Sequence, residues 1–461
     1  MPSGKLNVFQ QLALQWESLH PYNAAQCCVI TSSGDLSKWS TAWQQTIQAS
    51  GLGGYHIEAG RLAGLLGGRF HMSRLPQATA PLLLQAPTPA DIEDFISDQL
   101  NQPFIDGELP LRPMICRQRN AVQLCVVYRH VVADSVAIRL LLQDWIARAL
   151  GLAPVITKPL KVNLPSYSAL FAGAGTNSGT LQTILESARW AGQMRRSRRL
   201  EPNVAQDLRC KYSGGIAHGV CPDRLSAGCR SLGVTVGDYL MAAVAEAMAT
   251  FAPPPAFKQR RGMVVGQVVD LRRHIRPARA AEESKTWFGL YLGFATCVCD
   301  EQSLDNFPSL LKCTSQHSAR HSRRQKSLAR AEVSRMIVRM LAGLWMSRGY
   351  SQRRLADFYR RRMPLAAGIS NVNLNHHWSW MRQDIRDRIE HYERVSPTGP
   401  LMPLVISATA HRGELHLGMT RRSGLISDTI AEAIRSKIIG RLTQAANSSA
   451  QIAPLDHTAT R

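Results

Sequence analysis

An α/β fold, built as sheets flanked by helices, is what this 461-residue sequence predicts, on three observations. Short apolar, β-favouring runs such as PLLLQA and LCVVY alternate with amphipathic stretches of helical period. The alternation loosens between about Lys158 and Gly179, where Pro159, Pro165 and the small-residue run AGAGTNSG read as a linker. The chain is also long enough for two or three domains, so each side of that linker can bury a core of its own. The expected organisation is an N-terminal half at 1–175, a linker helix at 176–205 and a C-terminal half at 206–461.

Taken in order, Leu6 to His20 has helical periodicity and leads into PYNAAQCCVITSSG, a strand entering a turn. Leu36 to Ile47 is a helix whose Trp39 and Trp43, one turn apart, read as core contacts rather than a ligand box. The glycines at Gly51 to Gly54 and Gly64 to Gly68 match neither GxGxxG nor a Walker pattern and read as turns. PLLLQA is a strand, and in TPADIEDFISDQLNQPF either Thr88 or Asp91 caps a helix. LPLRPMICRQRNAVQLCVVYRH is a β-hairpin. Past the linker, LQTILESARWAGQMRRSRRLEP is a helix ending in Arg195, Arg196, Arg198 and Arg199, cations that suit a helix C-terminus.

Strands resume near Gln206. From Arg320 to Arg362 arginines crowd around an apolar stripe that includes Met336, Met340, Leu341 and Trp345. That stretch reads as a core helix with a solvated basic face or, as the alternative, a helix docking on an anionic membrane or an acidic carrier. LMPLVISATAHRGELHLGMTRRSGLIS reads as two strands around the turn HRGE, followed by a capped helix in SDTIAEAIRSKIIGRL.

Lys and Arg number 55 against 33 Asp and Glu, a formal charge of +22. Such a field attracts anions: nucleic acid, an anionic membrane surface, a phosphorylated cofactor or an acidic protein. No helix-turn-helix, zinc-finger or RRM signature is present, so nucleic acid is not the expected partner. There is no apolar run of about 18 residues and no leader pattern at the start, so a cytoplasmic protein is expected, with peripheral contact at the inner membrane face as the alternative. The ten cysteines are scattered without zinc spacing and read as reduced, mostly buried thiols. His376 and His377 lack a third ligand at spacing, so no metal is expected.

The stretch most informative about function is LCVVYRHVVADSVAIRLLLQDWIARA, Leu124 to Ala149. It reads as a buried strand, a short turn and an amphipathic helix, with His130 at the strand's end. Asp134 and Ser135 are helix N-cap types, and Ile138, Leu141, Leu142 and Trp145 recur at helical spacing. A histidine held between two rigid elements suits a general base, although an HxxxD spacing alone is common and is more often structural.

RHVVADS resembles the HHxxxDG motif of the condensation-domain and acyltransferase superfamily, which includes nonribosomal-peptide condensation domains, chloramphenicol acetyltransferase and wax-ester synthases. His130 matches the second, catalytic histidine and Asp134 the aspartate. Arg129 stands in place of the first histidine and Ser135 in place of the glycine, which is expected to put a cation on the floor of the site. Three later stretches follow in the family's order. GVTVGDYLMAAVAEAM resembles the helix carrying an Asn-Asp pair, with Gly237 for the asparagine and Asp238 retained; VVDLRR resembles a strand ending in an arginine, Arg272; ISNVNLN resembles the "SNV" strand.

The resemblance covers nearly the whole chain and implies two chloramphenicol-acetyltransferase-like halves forming a V-shaped pseudo-dimer. It implies that His130 is the general base, that Asp134 holds the loop through an ion pair with Arg272, and that no covalent acyl-enzyme is needed. Ser135 and Asn371 are candidates for oxyanion or substrate contacts. Arg195, Arg196, Arg198 and Arg199 are candidates for carrier or membrane contacts. The implied donor is acyl-CoA or an acyl group on the phosphopantetheine arm of an acyl-carrier protein, with no permanently bound cofactor, and the implied acceptor is a small or lipid-like hydroxyl or amine. The competing reading is a catalytically degenerate module that docks an acidic carrier protein without chemistry.

Overall fold

The computed structural model describes residues 3–32, 35–58, 69–72, 80–85, 88–118, 120–162, 180–198, 208–252, 260–275, 283–319, 326–362, 365–377, 383–400 and 402–448. In the N-terminal half these form β1 (Ser3–Lys5), α1 (Val8–Glu17), β2 (Asn23–Thr31), α2 (Leu36–Ser50), β3 (Tyr55–Glu58), β4 (Arg69–Met72), β5 (Leu82–Gln85), α3 (Pro89–Asn101), β6 (Leu111–Arg117), β7 (Ala121–Arg129) and α4 (Ser135–Ala149). The C-terminal half contributes α5 (Thr180–Arg195), β8 (Cys210–Ser213), α6 (Pro222–Ser231), α7 (Val236–Phe251), β9 (Met263–Asp270), β10 (Leu292–Cys299), α8 (Phe307–Ala319), α9 (Lys326–Met346), α10 (Gln352–Arg362), β11 (Ala367–Asn373), β12 (Ile389–Val395), β13 (Leu404–His411), β14 (Glu414–Arg422) and α11 (Asp428–Ser448). The expected α/β architecture of sheets flanked by helices is the one observed.

The first sheet runs β12-β2-β7-β6-β5, with β7 at its centre. Strand alternation explains why β7 is apolar without a break from Leu124 to Tyr128. Leu124, Val126 and Tyr128 join the core under α2 and α4, whereas Cys125 and Val127 join a second core with Ile92, Ile96 and Leu100 of α3. Trp39 and Trp43 of α2 are fully buried as expected: Trp43 packs on Trp145 of α4 at 4.8 Å, and Trp145 Nε1 donates to the Trp39 carbonyl at 2.7 Å. Both candidate caps of α3 act together, since the Asp91 amide donates to Thr88 Oγ1 and the Thr88 amide to the Asp91 carboxylate.

The second sheet runs β10-β9-β11-β13-β14-β8, with β11 parallel to both β9 and β13. One face packs on α6, α7, α8 and α11 through residues such as Leu240, Leu310 and Ile434. At the β13–β14 hairpin Arg412 and Gly413 have φ of 47° and 82°, the two positive values of a tight two-residue turn. The Arg412 guanidinium is anchored on the carbonyls of Asp387 and Ile389, at 3.1 and 3.2 Å. The stripe in the arginine-rich stretch is divided: Met336 and Met340 of α9 are buried, while Leu341 and Trp345 are exposed.

The two halves are interlocked. Strand β12 belongs to the C-terminal half but completes the first sheet, antiparallel to β2 from Val395 opposite Ala25 to Ile389 opposite Ile30. The expected boundaries at 175 and 206 lie outside the described residues. The described start of the linker stretch is fastened down: Leu160 is buried, its amide donates to the Ser50 carbonyl at 2.9 Å, and Lys161 bridges to Trp287.

Buried at this seam, Glu393 of β12 accepts from the Tyr212 hydroxyl of β8. Burial pushes its carboxyl up to about 8, reinforced by the charge of Glu93 and opposed by Arg435. The folded protein therefore holds a proton that the unfolded chain releases from pH 4.5 upward, so this group's contribution to stability falls as pH rises toward 8. Glu393→Gln, which mimics the protonated acid, is expected to leave the melting temperature nearly unchanged near pH 4, below the ordinary carboxyl value of 4.5. At pH 9 it is expected to stabilise by roughly 1–3 kcal/mol. Paired thermal melts at the two pH values check this; a variant destabilised at pH 9 would contradict it.

Candidate active site

Strand β7 delivers the loop that bears His130 to the junction of the halves. Arg129, the last residue of the strand, pairs with Asn23, and the His130 amide then donates to the Tyr22 carbonyl at 2.9 Å. The His130 ring is 8% exposed, stacks on Tyr22 at 5.3 Å and meets the edge of Tyr128 at 5.6 Å. Its Nδ1 lies 2.8 Å from the Ala133 carbonyl oxygen. A carbonyl only accepts, so Nδ1 carries the proton and the neutral ring keeps its lone pair on Nε2. Burial pushes the imidazole pKa below its ordinary 6.5, against the Ala133 hydrogen bond and the Asp134 charge. At neutral pH the ring is an uncharged base.

Asp134 is fully buried and its acceptor capacity is filled. One oxygen caps α4 by accepting from the amides of Val136 and Ala137 at 3.1 and 3.2 Å. The other accepts from Arg272 Nη1 and from the Tyr291 amide, the latter at 2.9 Å. Arg272 follows β9 on a short 3-10 turn, Leu271–His274, and its Nη2 also faces the Gly289 carbonyl at 3.3 Å. Burial works against the Arg272 charge, but Asp134 and then Asp270 outweigh it and hold its pKa above the ordinary value. Asp134 does not line the cavity beside His130; it clamps the loop to the C-terminal half.

That cavity has a volume of about 400 Å³ and is walled by both halves, with Tyr22, His130 and Ser135 on one side and Gln267, Asn371 and Arg394 on the other. Ser135 opens α4, and its carbonyl accepts from Gln26 Nε2 at 3.0 Å. Asn371 stands on β11. Thr235, the cap of α7, also lines the wall, in a reciprocal cap with Asp238.

Two expectations need correction. Arg129 is not on the floor of the site: alternation along β7 turns it to the face opposite Tyr128, where it grips the Glu17 carboxylate at 2.7 to 3.0 Å. Burial pushes the Glu17 carboxyl up despite that partner. Arg198 is not a surface contact either. Helix α5 ends at Arg195, and the chain then turns onto β9 so that Arg198 is buried, donating to the carbonyls of Arg261 and Ala252 at 2.8 and 3.3 Å. Arg195 and Arg196 are exposed; Arg199 and the side chains of His376 and His377 lie outside the described residues.

Other features carry no signal in the local sequence. Arg139 and Arg394 both line the cavity and are 5% and 3% exposed. Among the described residues Arg394 is held by neutral acceptors, Ser370, Thr409 and Ala408, at 2.7 to 3.0 Å. Tyr22 and Gln26 carry no motif that announces them. Cys297, Cys299 and Cys313 bring their sulfurs together, with Cys297 4.0 Å from each of the others, a convergence across β10 and α8 that no local spacing reveals.

No family model and no curated protein matches the chain. Solved structures do. The condensation domain from the Monacolin K polyketide synthase MokA aligns over 97% of this chain and 98% of its own, with a TM-score of 0.64 at 12% identity. The chain has the condensation-domain fold. The first condensation domain of the calcium-dependent antibiotic synthetase, in complex with substrate analogue 2a, aligns over 97% of both chains with a TM-score of 0.66 at 14% identity. The X-domain from teicoplanin biosynthesis aligns over 96% of this chain and 95% of its own, with a TM-score of 0.61 at 13% identity. A condensation fold thus accounts for both halves, including the part of the chain that holds Arg272 and Asn371.

Proposed function

We propose that this protein is an acyltransferase, moving an acyl group from a thioester to a hydroxyl or amine. The observation that carries the reading is His130: a buried, neutral imidazole with Nδ1 fixed on the Ala133 carbonyl, lining a cavity between the halves. Nε2 takes the acceptor's proton as the acceptor attacks the thioester carbonyl, and the tetrahedral intermediate collapses by expelling the thiol, to which the proton passes. Ser135 and Asn371 line the same cavity and are the candidate donors to the oxyanion.

The donor is carried either on CoA or on the phosphopantetheine arm of a carrier protein. The net charge of +22 supports an anionic donor of either kind. Arg195 and Arg196, exposed at the end of α5, are the proposed contacts for an acidic carrier.

A panel of acyl-CoAs, and then acylated carrier proteins, incubated with pooled cell metabolites tests the reading, with the released thiol measured by mass spectrometry. Release that requires both the protein and the metabolite pool is expected. A carrier that binds as tightly to His130→Ala as to the wild type, with no thioester consumed by either, would instead establish the docking module.

A further inference from the structure

Arg139 lies one helical turn beyond Ser135 on α4, on the same side of the helix and about 6 Å along its axis. It is 5% exposed, lines the cavity, and its Nη1 is buried with no hydrogen-bond partner among the described residues. A guanidinium in that condition is expensive to keep unless something else supplies the acceptor. The neighbouring charges do not. Asp134 is taken by Arg272 and the α4 cap, and Asp270 is turned toward Arg272, accepting from its amide at 3.0 Å and lying 4.0 Å from its guanidinium. Arg394, the other buried cation of the cavity, repels Arg139 and has no carboxylate partner among the described residues. His130 is neutral. Asp270 stands in the cavity wall, and its charge and that of Asp134 favour the Arg139 cation from a distance, but both carboxylates are engaged with Arg272. Next to the loop that carries the base, neither Arg139 nor Arg394 hydrogen-bonds a carboxylate among the described residues.

We infer that the cavity binds a carboxylate, carried by one of the two substrates and held by Arg139. A planar guanidinium with free donors matches a carboxylate in two parallel hydrogen bonds. The phosphate of a pantetheine arm is a poor alternative occupant, because it sits a full arm's length from the reacting sulfur, whereas Arg139 is on the second turn of the helix that starts at the catalytic loop. The inference rests on the acyltransferase reading only for the word substrate; the site itself is defined by binding. It narrows the acceptor to amino or hydroxy acids, or else the acyl group to one that ends in a second carboxylate.

Ligand-observed NMR with matched acid and amide pairs, namely glycine and glycinamide, glycolate and glycolamide, malonate and malonamide, and inorganic phosphate as the competing anion, tests this on the full-length protein. At least one acid is expected to bind in preference to its amide by about 10- to 100-fold, the weight of a charged hydrogen bond, and Arg139→Gln is expected to abolish the preference. Arg139→Met serves as a second variant and is expected to melt no lower than the wild type, since it removes a buried unpaired charge. Acids and amides binding alike, no acid binding, phosphate displacing every acid, or a preference that survives Arg139→Gln would each overturn the inference. Because the readout is binding, an Arg139-dependent preference in a protein that consumes no thioester would refute acyl transfer and leave this site standing.

Discussion

Asp134→Ala is expected to lose stability on the order of 3–5 kcal/mol, because it leaves the Arg272 guanidinium buried without its carboxylate. Loss of the α4 cap adds about 1 kcal/mol. The Tyr291 amide also loses its acceptor. Since Arg272 and Tyr291 follow β9 and precede β10, the damage spreads to the contact between the halves rather than staying in the loop. Asp134→Asn should do less harm, as an amide oxygen still caps the helix. A double substitution with Arg272→Met should recover part of the deficit by removing the orphaned charge. Urea denaturation of the four proteins measures these differences, and an Asp134→Ala protein as stable as the wild type would refute the clamp.

His130→Ala is expected to do the reverse, lowering turnover by about 10²- to 10⁴-fold, the range for a positioned general base, while leaving the fold in place. The stability cost is small because the ring's hydrogen bond goes to the Ala133 carbonyl of its own loop, and the two tyrosines it packs on border the cavity rather than a closed core. In the wild type, activity should fall on acidification through a pKa below 6.5, since burial depresses it. The sign is the same for stability: below pH 6.5 the unfolded chain takes up a proton that the folded site resists, so acid destabilises the protein through this residue. A pH-rate profile whose acid limb lies above 6.5 would contradict the neutral, buried base.

The part of the site built from adjacent residues was legible in the sequence. The β7 strand, the turn with His130 and the Asp134 cap of α4 follow from local pattern, because apolar runs and capping chemistry act over a few residues. The pairing of Asp134 with Arg272, 138 positions apart, was available only through the resemblance, since nothing local marks one end of such a pair. The crossing of β12 into the first sheet was hidden for the same reason: IEHYERV reads as a strand, but its partner is chosen by the fold. Arg129 could have been placed correctly, as alternation along β7 puts it opposite Tyr128. Arg139 could not. Helical period assigns it to the polar side of α4, and that side is buried because the C-terminal half closes over it.

Mass spectrometry of a single-turnover mixture of enzyme, acyl thioester and acceptor, run with wild-type protein and with His130→Ala shown to be folded by circular dichroism, bears most directly on the proposed chemistry. The wild type is expected to release free thiol and add the acyl mass to the acceptor, and the variant to leave both substrates intact. Equal consumption by the two proteins, or an unfolded His130→Ala beside a fully active Asp134→Ala, would contradict the roles assigned to these two residues.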